Sequence, residues 1–492
     1  MLNNFVIEGE GDMLKIKIDK ESNTPLYLQL YRKLKEKIVD ELSADTKLPP
    51  IRKLSDMLGI NPATVVKAYD MLAQDNLIYK KVGSGSFVAP AAVSAGFKED
   101  KNDSMLNHGQ IKLDKSINFA SATPSTDLFP VDDFKYAINH VLDRDQGEAF
   151  TYQKSQGFLP LRKYIQDYLK SKSIYNNLKE IQIVSGAQQA IDIIAKILLD
   201  YGDKVVVEKA TYFGALQAFA SRKAEIKSIE IKRDGLDLDE LEDYLKKNKI
   251  KLFFTMQNFQ NPTGVNWSRE KQQHLLELAE KYNFFIVEDD LLSDLYYTEN
   301  APSILKQLDK NERVIYIKSF SKVFMPGLRL ALIVLPQKLL PEMLETKYAT
   351  DISSAGLTQR AFDYYLREGF FEKHISLKRN LFKKRFEVMS EEIDKKLPEE
   401  IESFIKPEGG LYFWLKLPQG KDSSKLYEQA AEKGVVFSPG YLFTASSAKS
   451  EYFRLSFAAV DEKEIKKGMD ILSEVVRDYL GSSDEDDFSP LL

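Results

Sequence analysis

Seven short runs of mostly apolar residues alternate with helical stretches, and this alternation limits the fold more than any other feature of the chain. The runs are rich in Val, Ile, Leu and Phe, as buried strands are. They span residues 181–184, 204–207, 226–231, 252–255, 284–287, 314–317 and 328–335. Strands that alternate with helices form a mostly parallel sheet with helices on both faces, so we predict a seven-stranded α/β domain.

Polar residues follow several of these predicted strands directly. In sheets of this kind, ligands bind outside the carboxyl ends of the strands. The candidates are Ser185, Gly186, Ala187 and Gln188 after the first strand, Tyr212 after the second, Asn261 after the fourth, Asp289 after the fifth, and Ser319, Ser321 and Lys322 after the sixth. Because they converge on one edge of the sheet, we predict a binding site there.

Lys322 indicates the chemistry of that site. A lysine just past a buried strand is poorly solvated, which lowers its pKa and favours the amine that attacks an aldehyde. The hydroxyls of Ser319 and Ser321, together with Arg329, could hold a phosphate. An aldehyde that carries a phosphate is pyridoxal 5′-phosphate (PLP). A surface lysine in a serine-rich loop would give the same pattern, so the motif alone leaves both interpretations open.

The other candidates have roles that suit this cofactor. Asp289 would pair with the protonated pyridine nitrogen, and Asn261 would hydrogen-bond the ring hydroxyl. Ser185 to Gln188 open a helix, so their backbone N–H groups and the helix dipole would receive the phosphate. Tyr212 could stack on the ring. The residues alone also allow simpler interpretations, namely a turn-capping aspartate, an ordinary proline turn and a core tyrosine.

The N-terminal part has the pattern of a winged helix-turn-helix. Apolar residues at helical spacing predict helices over residues 26–42, 51–58 and from 62 to about 74. Thr64 and Lys67 share the outer face of the third helix near its N-terminal end, where recognition helices meet base edges. Two apolar runs then flank a basic, glycine-rich tip, which predicts a wing. Some helix-turn-helix proteins never touch DNA, so the pattern alone does not establish DNA binding.

The order of short motifs in this part resembles the winged helix-turn-helix of the GntR family. The motifs are Pro25-Leu-Tyr-x-Gln29, Leu48-Pro-Pro-x-Arg52-x-Leu54, Thr64-Val-Val-Lys-Ala-Tyr69 and Gly83-Ser-Gly-Ser-Phe-Val88, and the resemblance covers residues 24–89. The resemblance implies that double-stranded operator DNA is contacted by Arg52, Thr64 and Lys67 and by the wing residues Gly83, Ser84 and Gly85. Pro62 stands where the family often carries a basic residue, so the operator sequence is not implied.

The remainder of the chain resembles the fold-type I aminotransferases over residues 116–478. The motifs are Tyr152-x4-Gly157-x3-Leu161-Arg162, Ser185-Gly-Ala-Gln-Gln189, Gln260-Asn-Pro-Thr-Gly264, Glu288-Asp-Asp290, Ser319-x-Ser-Lys322, Pro407-x-Gly-Gly410 and Arg454-Leu455. The resemblance implies PLP attached to Lys322 and a smaller C-terminal α+β subdomain. It also implies an obligatory homodimer, in which Tyr152 reaches the phosphate of the neighbouring subunit's cofactor, and an α-carboxylate clamped by Arg454. From the sequence alone, Arg454 could equally be a strand-end arginine in a surface salt bridge.

One position departs from the aminotransferase pattern. Relatives carry a tyrosine two or three residues after Asp289, and its hydroxyl donates to the ring hydroxyl of the cofactor. This chain has Leu291 and Leu292 there. The loss of that donor is compatible with PLP binding but argues against efficient transamination.

Composition excludes several other classes of protein. The chain of 492 residues has no cysteine, which excludes disulfides, thiolate metal sites and cysteine nucleophiles. Its four histidines lack metal-ligand spacing, so no metal site is expected. No apolar run is long enough to span a membrane and no export signal is visible, so we expect a cytoplasmic protein. The net charge is −5, yet residues 24–88 carry ten Lys or Arg against seven Asp or Glu, as expected for one nucleic-acid-facing end.

Two segments are predicted to lie outside the folded domains. Residues 90–115 mix small and polar residues without an apolar period, which indicates a linker. Residues 479–492 are acidic and are predicted to form a disordered tail.

A winged DNA-binding domain in front of an aminotransferase-like domain is similar to the MocR subfamily of GntR regulators. The leading hypothesis is a PLP-dependent transcriptional regulator that senses vitamin B6 or an amino-acid effector. The first alternative is a working aminotransferase with a secondary winged domain, and the second is a binding module that keeps the fold without PLP. Lys322, Asp289 and Asn261 argue against the second alternative. Whether the protein has transaminase activity is left open by the sequence.

Overall fold

The protein, seen in a computed structural model, consists of two compact units that divide between residues 112 and 113. The structure describes residues 25–40, 46–74, 77–81, 85–89, 116–445 and 449–481. The predicted linker at 90–115 therefore lies outside the described residues, as do residues 482–492 of the predicted tail.

The small unit contains three helices and a hairpin. Its elements are α1 (Leu26–Asp40), α2 (Ile51–Leu58), α3 (Pro62–Gln74), β1 (Ile78–Lys81) and β2 (Gly85–Val88). α2 ends at Gly59, whose left-handed φ of 59° starts the turn into α3. Its core is formed by buried side chains of all three helices, among them Leu30, Leu34, Ile38, Leu54, Val65, Ala68 and Leu72. β1 and β2 are antiparallel, which confirms the predicted winged helix-turn-helix.

The large unit alternates strands and helices along most of its length. Its helices are α4 (Val131–Asp145), α5 (Leu159–Ser171), α6 (Ala187–Leu198), α7 (Phe213–Ser221), α8 (Leu238–Leu245), α9 (Arg269–Tyr282), α10 (Leu340–Asp351), α11 (Gly356–Arg367), α12 (Phe370–Lys396), α13 (Ser423–Glu432) and α14 (Glu462–Gly481). Its strands are β3 (Ile117–Asn118), β4 (Ile181–Val184), β5 (Lys204–Glu208), β6 (Glu225–Ile229), β7 (Ile231–Lys232), β8 (Gly235–Leu236), β9 (Leu252–Thr255), β10 (Phe285–Asp290), β11 (Val314–Ser319), β12 (Ala331–Val334), β13 (Glu402–Ser403), β14 (Tyr412–Lys416), β15 (Val435–Val436), β16 (Ser438–Pro439) and β17 (Tyr452–Ser456).

The central sheet of this unit has seven strands in the order β4-β12-β11-β10-β9-β5-β6. β12 is antiparallel to both of its neighbours, and the other pairs are parallel. Apolar clusters cover both faces of the sheet. This arrangement confirms the predicted mostly parallel α/β fold, and it brings the carboxyl ends of β4, β5, β9, β10 and β11 to one edge.

A smaller antiparallel sheet, β13-β14-β17-β16, lies in the C-terminal part of the large unit. Beside it, β3 pairs in parallel with β15, so the first described residues of the unit are tied to its C-terminal part. α13 and α14 complete this α+β subdomain.

Several element boundaries differ from those predicted. β10 extends through Asp290, so Asp289 lies within the strand and not after it. The seventh strand is shorter than predicted, and Arg329 lies in the turn before it with a left-handed φ of 52°. α14 continues to Gly481 and buries Tyr479, so residues 479–481 of the predicted tail are helical.

In the described part of the chain, no helix is long and apolar enough to cross a membrane. Nor do these residues contain a group of three or more His, Cys, Asp or Glu side chains that could hold a metal ion.

Candidate functional site

Lys322 lies in the turn after β11, at the edge of the sheet where the parallel strands end. Its Nζ donates a hydrogen bond to Thr123 Oγ1 at 3.1 Å. Burial, with the nearby charges of Arg454 and Arg329, lowers the pKa of Lys322 to about 8. A free lysine has a pKa of about 10.4. Near neutral pH, the fraction of Lys322 present as the nucleophilic amine is therefore much larger than that of a free lysine.

Asp289, near the end of β10, has a buried side chain with an oxygen that receives no hydrogen bond from the described residues. It is 5% exposed, and its Oδ1 accepts no hydrogen bond from the described residues. Burial and the adjacent Asp290 raise the pKa of Asp289 to about 7, while Lys318 opposes the shift. Because buried polar atoms are nearly always hydrogen-bonded, this oxygen calls for a donor that the described residues do not supply.

Arg454 is held beside Asn261 at the same edge. It lies in the middle of β17 and is 5% exposed, so the surface, strand-end interpretation is wrong. Its Nη1 donates to Asn261 Oδ1 and its Nη2 to Ala120 O, both at 2.6 Å. Burial lowers the pKa of the guanidinium, and the described residues supply no carboxylate within 4.0 Å of it. A buried guanidinium without an anionic partner is suited to receive a carboxylate.

The loop that carries Asn261 is fixed by a buried polar network. Glu208 accepts hydrogen bonds from Thr255 Oγ1 at 2.7 Å and from Gln260 Nε2 at 2.8 Å. Gln260 Oε1 in turn accepts from the N–H of Thr263 at 2.9 Å. The Asn261–Pro262 peptide bond is cis. These contacts set the position of the Asn261 amide next to Arg454.

The N-terminus of α6 forms one wall of the site. Gly186 precedes the helix with a φ of 90°, and a Cβ there would lie 2.5 Å from Arg329 Nη2. Arg329 Nη2 also donates to Ser185 O at 3.0 Å. The positive φ favours glycine at 186, and the bond to Ser185 O places the Arg329 guanidinium beside the N-terminus of α6, as a phosphate site needs.

The other residues predicted for this wall have defined places. Tyr212 OH donates to Gln188 Oε1 at 3.1 Å, and Gln188 Nε2 donates to Gly214 O at 2.9 Å. Ala187 is the first residue of α6 and is partly buried. Ser319 is buried at the end of β11, and its Oγ accepts from the N–H of Ser321 at 3.4 Å.

A buried ionic network behind Asp289 was not predicted from the sequence. Lys318 Nζ lies 3.2 Å from Asp290 Oδ2 and 2.8 Å from Asp294 Oδ2. Tyr316 OH donates to Asp290 Oδ2 at 2.6 Å. Asp290 therefore faces this network and not the ligand edge. Alternation along β10 could have indicated that Asp289 and Asp290 point to opposite faces.

Tyr152, Leu291 and Leu292 add no polar group to the ligand site of the single chain. Tyr152 is 85% exposed in the single chain. Leu292 is fully buried, and Leu291 is partly buried against the same apolar cluster. No hydroxyl is thus present at either position where relatives carry the tyrosine.

The predicted DNA-contacting residues lie on the surface of the small unit. Arg52 on α2 and Lys67 on α3 are exposed, and Thr64 is partly exposed. Lys67 Nζ lies 3.7 Å from the centroid of the Tyr27 ring, a close cation–π contact. Gly85 opens β2 with a φ of 117°. Gly83 and Ser84 lie outside the described residues.

Two family models match the chain. Residues 114–472 match the model described as aminotransferase class I and II. Residues 26–88 match the model described as bacterial regulatory proteins of the gntR family.

Individual relatives contain one or both parts. The uncharacterized HTH-type transcriptional regulator YdfD of Bacillus subtilis is 29% identical over 93% of this chain and 98% of its own length. The probable rhizopine catabolism regulatory protein MocR of Rhizobium meliloti is 27% identical over 92% of this chain and 94% of its own. The structure of kynurenine aminotransferase from Pyrococcus horikoshii, solved in complex with PMP, is 34% identical with a TM-score of 0.74 and covers 78% of this chain and 96% of that one.

PLP is the cofactor of the aminotransferase family, and the residues of this chain suit it. A pyridinium N–H would supply the donor that Asp289 Oδ1 lacks. Lys322 offers an amine with a lowered pKa, and the N-terminus of α6 at Gly186 lies beside the Arg329 guanidinium. The chain belongs to the aminotransferase class I and II family and, with its gntR-family domain at the N-terminus, to the MocR type of GntR regulators.

Proposed function

We propose that this protein is a PLP-dependent, DNA-binding transcriptional regulator whose aminotransferase-like domain senses vitamin B6 or an amino-acid effector. One observation carries the proposal. A DNA-binding unit precedes a site that keeps Lys322, Asp289 and Arg454 but has Leu291 and Leu292 in place of the tyrosine of relatives. This combination keeps the residues that would bind PLP and an amino acid, and it lacks a hydroxyl that would support transamination.

PLP supplies an electrophilic aldehyde and an electron-withdrawing ring when it is bound. The Lys322 amine would react with the aldehyde, and Asp289 would hold a proton on the pyridine nitrogen. Gly186 and Arg329 would bind the phosphate together with Ser319 and Ser321. Arg454 would orient an amino acid through its α-carboxylate by the paired hydrogen bonds that guanidinium geometry favours.

The small unit would bind duplex DNA through α3 and the wing. Arg52, Thr64 and Lys67 would contact base edges or phosphates from the exposed side of α2 and α3. Loss of one specific base contact weakens binding by about 1–3 kcal/mol, whereas loss of a phosphate contact mainly flattens the salt dependence.

A homodimer would complete the ligand site. Tyr152 is 85% exposed, so within one chain it is available to a second copy. Its hydroxyl would reach the phosphate of the neighbouring subunit's cofactor. Two winged domains in one dimer would then read two half-sites of an operator.

The deciding experiment measures the absorbance spectrum, DNA binding and transamination on the same preparation. We expect a PLP absorbance band that Lys322→Ala lacks, and preferential binding of the protein's own promoter over random DNA at moderate salt. Arg52→Ala and Lys67→Ala should weaken this binding, whereas Lys373→Ala, an exposed lysine on α12, should not. A protein that stays colourless with PLP, or that shows no preference for its promoter, would contradict the proposal.

The second candidate function is aminotransferase catalysis. The coexistence of Lys322, Asp289, Asn261 and Arg454 favours it, because these are the groups that the reaction uses. Turnover at ordinary enzyme rates, with a median of about 10 per second, together with DNA affinity that ignores PLP and amino acids, would favour the enzyme over the regulator.

A further inference from the structure

We propose that residues 117–123, which we call the sensor segment, report the state of the ligand site through Thr123 and Ala120. This segment lies at the start of the described large unit, directly after the sequence that joins it to the DNA-binding unit. The inference deepens the proposed function, because it names residues through which ligand binding would act on the rest of the chain.

The sensor segment contacts both groups that a ligand would engage. Lys322 Nζ donates to Thr123 Oγ1 at 3.1 Å, and Arg454 Nη2 donates to Ala120 O at 2.6 Å. Lys322 and Thr123 are 199 positions apart in sequence, and Arg454 and Ala120 are 334 positions apart. The Lys322 bond joins the segment to the amine, and the Arg454 bond joins it to the carboxylate site.

Internal hydrogen bonds make the sensor segment a single unit. Asn118 Oδ1 accepts from the N–H of Ala120 at 3.0 Å and of Ser121 at 2.9 Å. Ser121 Oγ accepts from the N–H of Thr123 at 3.1 Å. A shift of Thr123 would therefore disturb bonds that run back along the segment to Asn118, the last residue of β3.

The other end of the sensor segment is anchored in the C-terminal subdomain. The N–H of Phe119 donates to Val436 O at 2.8 Å, and the N–H of Ser456 donates to Phe119 O at 2.8 Å. Ser456 lies two residues from Arg454 on β17. Movement of Arg454 toward a carboxylate would thus reach the segment through its backbone as well as through Ala120.

Ligands at this site would compete with the Lys322–Thr123 and Arg454–Ala120 hydrogen bonds. When the Lys322 amine condenses with an aldehyde, one carbon–nitrogen double bond forms, one water leaves and the nitrogen loses both of its hydrogens. Any proton that this nitrogen takes up afterwards lies in the plane of the double bond, so the rotatable N–H that reaches Thr123 Oγ1 is lost. A carboxylate at Arg454 likewise competes with Ala120 O for Nη2. We therefore infer that PLP loading releases the Thr123 contact first and that a bound amino acid then weakens the Ala120 contact.

The test is hydrogen–deuterium exchange of the peptide that covers the sensor segment, measured on the full-length protein with and without PLP. We expect PLP to speed exchange in the wild type, because loss of a tertiary contact lowers the free energy of local opening. Thr123→Val, which keeps the shape of the side chain and removes the hydroxyl, should exchange as fast without PLP as the loaded wild type. Lys322→Ala should do the same, since it removes the donor, and Thr123→Ser should behave as the wild type.

The result that overturns the inference is a wild-type segment whose exchange is unchanged by PLP, or a Thr123→Val variant that still responds to PLP as the wild type does. DNA binding is then measured on the same variants with PLP as the probe. If PLP changes wild-type DNA affinity by about 5–150-fold, the range typical of coupled sites, Thr123→Val should abolish that change. If exchange responds to PLP but DNA affinity does not, the sensor contact stands and the proposed regulatory function fails.

Discussion

Lys322 and Asp289 are buried side chains, and burial disfavours the charged form of each. Burial shifts the pKa of Lys322 down to about 8 and that of Asp289 up to about 7. Either shift favours the neutral form of the side chain. The neutral amine of Lys322 can react with an electrophile, and the charged carboxylate of Asp289 would be stabilised by a hydrogen-bond donor that the described residues do not supply.

The rate of PLP attachment should therefore depend on pH. Only the unprotonated amine attacks the aldehyde, and its fraction rises as pH increases through the pKa of Lys322 at about 8. We expect the rate of growth of the absorbance band to increase from pH 6.5 to about 9 and then to level off, as a group with that pKa requires. Lys322→Ala should show no attachment at any pH. A rate that keeps rising up to pH 10 or above would mean that the lysine has the pKa of an exposed side chain.

At the scale of elements, α12 contains a buried lysine that the proposed function does not use. Lys378 is 3% exposed, and its Nζ has no hydrogen-bond partner among the described residues. The Nζ lies 5.7 Å from the centroid of the Phe129 ring and 5.8 Å from that of Phe382. Burial, with the charge of Arg385, lowers the pKa of Lys378 to about 8.

Replacing this lysine should stabilise the protein. Its folded-state pKa lies below the unfolded value of about 10.4, so below pH 8 the charged side chain destabilises the fold, and the effect is relieved as pH rises toward 10. Lys378→Met should raise the free energy of unfolding at pH 7 by about 1–3 kcal/mol. The gain should shrink at pH 10.

Thermal unfolding at the two pH values measures this difference. Lys373→Met, an exposed lysine on the same helix, is the control and should change the melting temperature little at either pH. Equal stabilisation by Lys378→Met at pH 7 and pH 10 would show that packing and not charge is responsible.

The elements that carry the site could be predicted from the sequence, whereas several of its contacts could not. Short apolar runs mark β4 and β9, and the Gly59 turn before Pro62 marks the start of α3. These local signals fix the boundaries of the three elements closely. The burial of Arg454 and Lys378 depends on residues far away in sequence, and so does the bond between Lys322 and Thr123. No local pattern marks Thr123, because its role comes only from the folding of residue 123 against residue 322.

At the scale of the whole molecule, exposed aromatic side chains near Tyr152 support the proposed homodimer. Phe150 is 71% exposed and Tyr152 is 85% exposed, two residues apart in the segment before α5. Large apolar side chains that lie close together on a surface are typical of interaction sites.

Phe150→Glu should therefore weaken the dimer. We expect a shift toward the monomer mass in light scattering, because a carboxylate would have to lose its hydration in the interface. PLP should also be retained less well, since each site would lose Tyr152 of the partner. Tyr201→Glu is the control, because Tyr201 is 88% exposed in the loop after α6. A Phe150→Glu variant that remains dimeric would place the interface elsewhere.

The Asp289 oxygen that receives no hydrogen bond from the described residues has a consequence for the lifetime of the protein in the cell. Any compound that binds only the folded chain and supplies this donor shifts the balance away from unfolded molecules. Proteases degrade unfolded molecules continuously, so a small change in that balance alters steady-state abundance severalfold. A cell short of vitamin B6 would then hold fewer copies of the protein as well as fewer loaded ones, and the response of its target genes would be steeper than binding alone predicts.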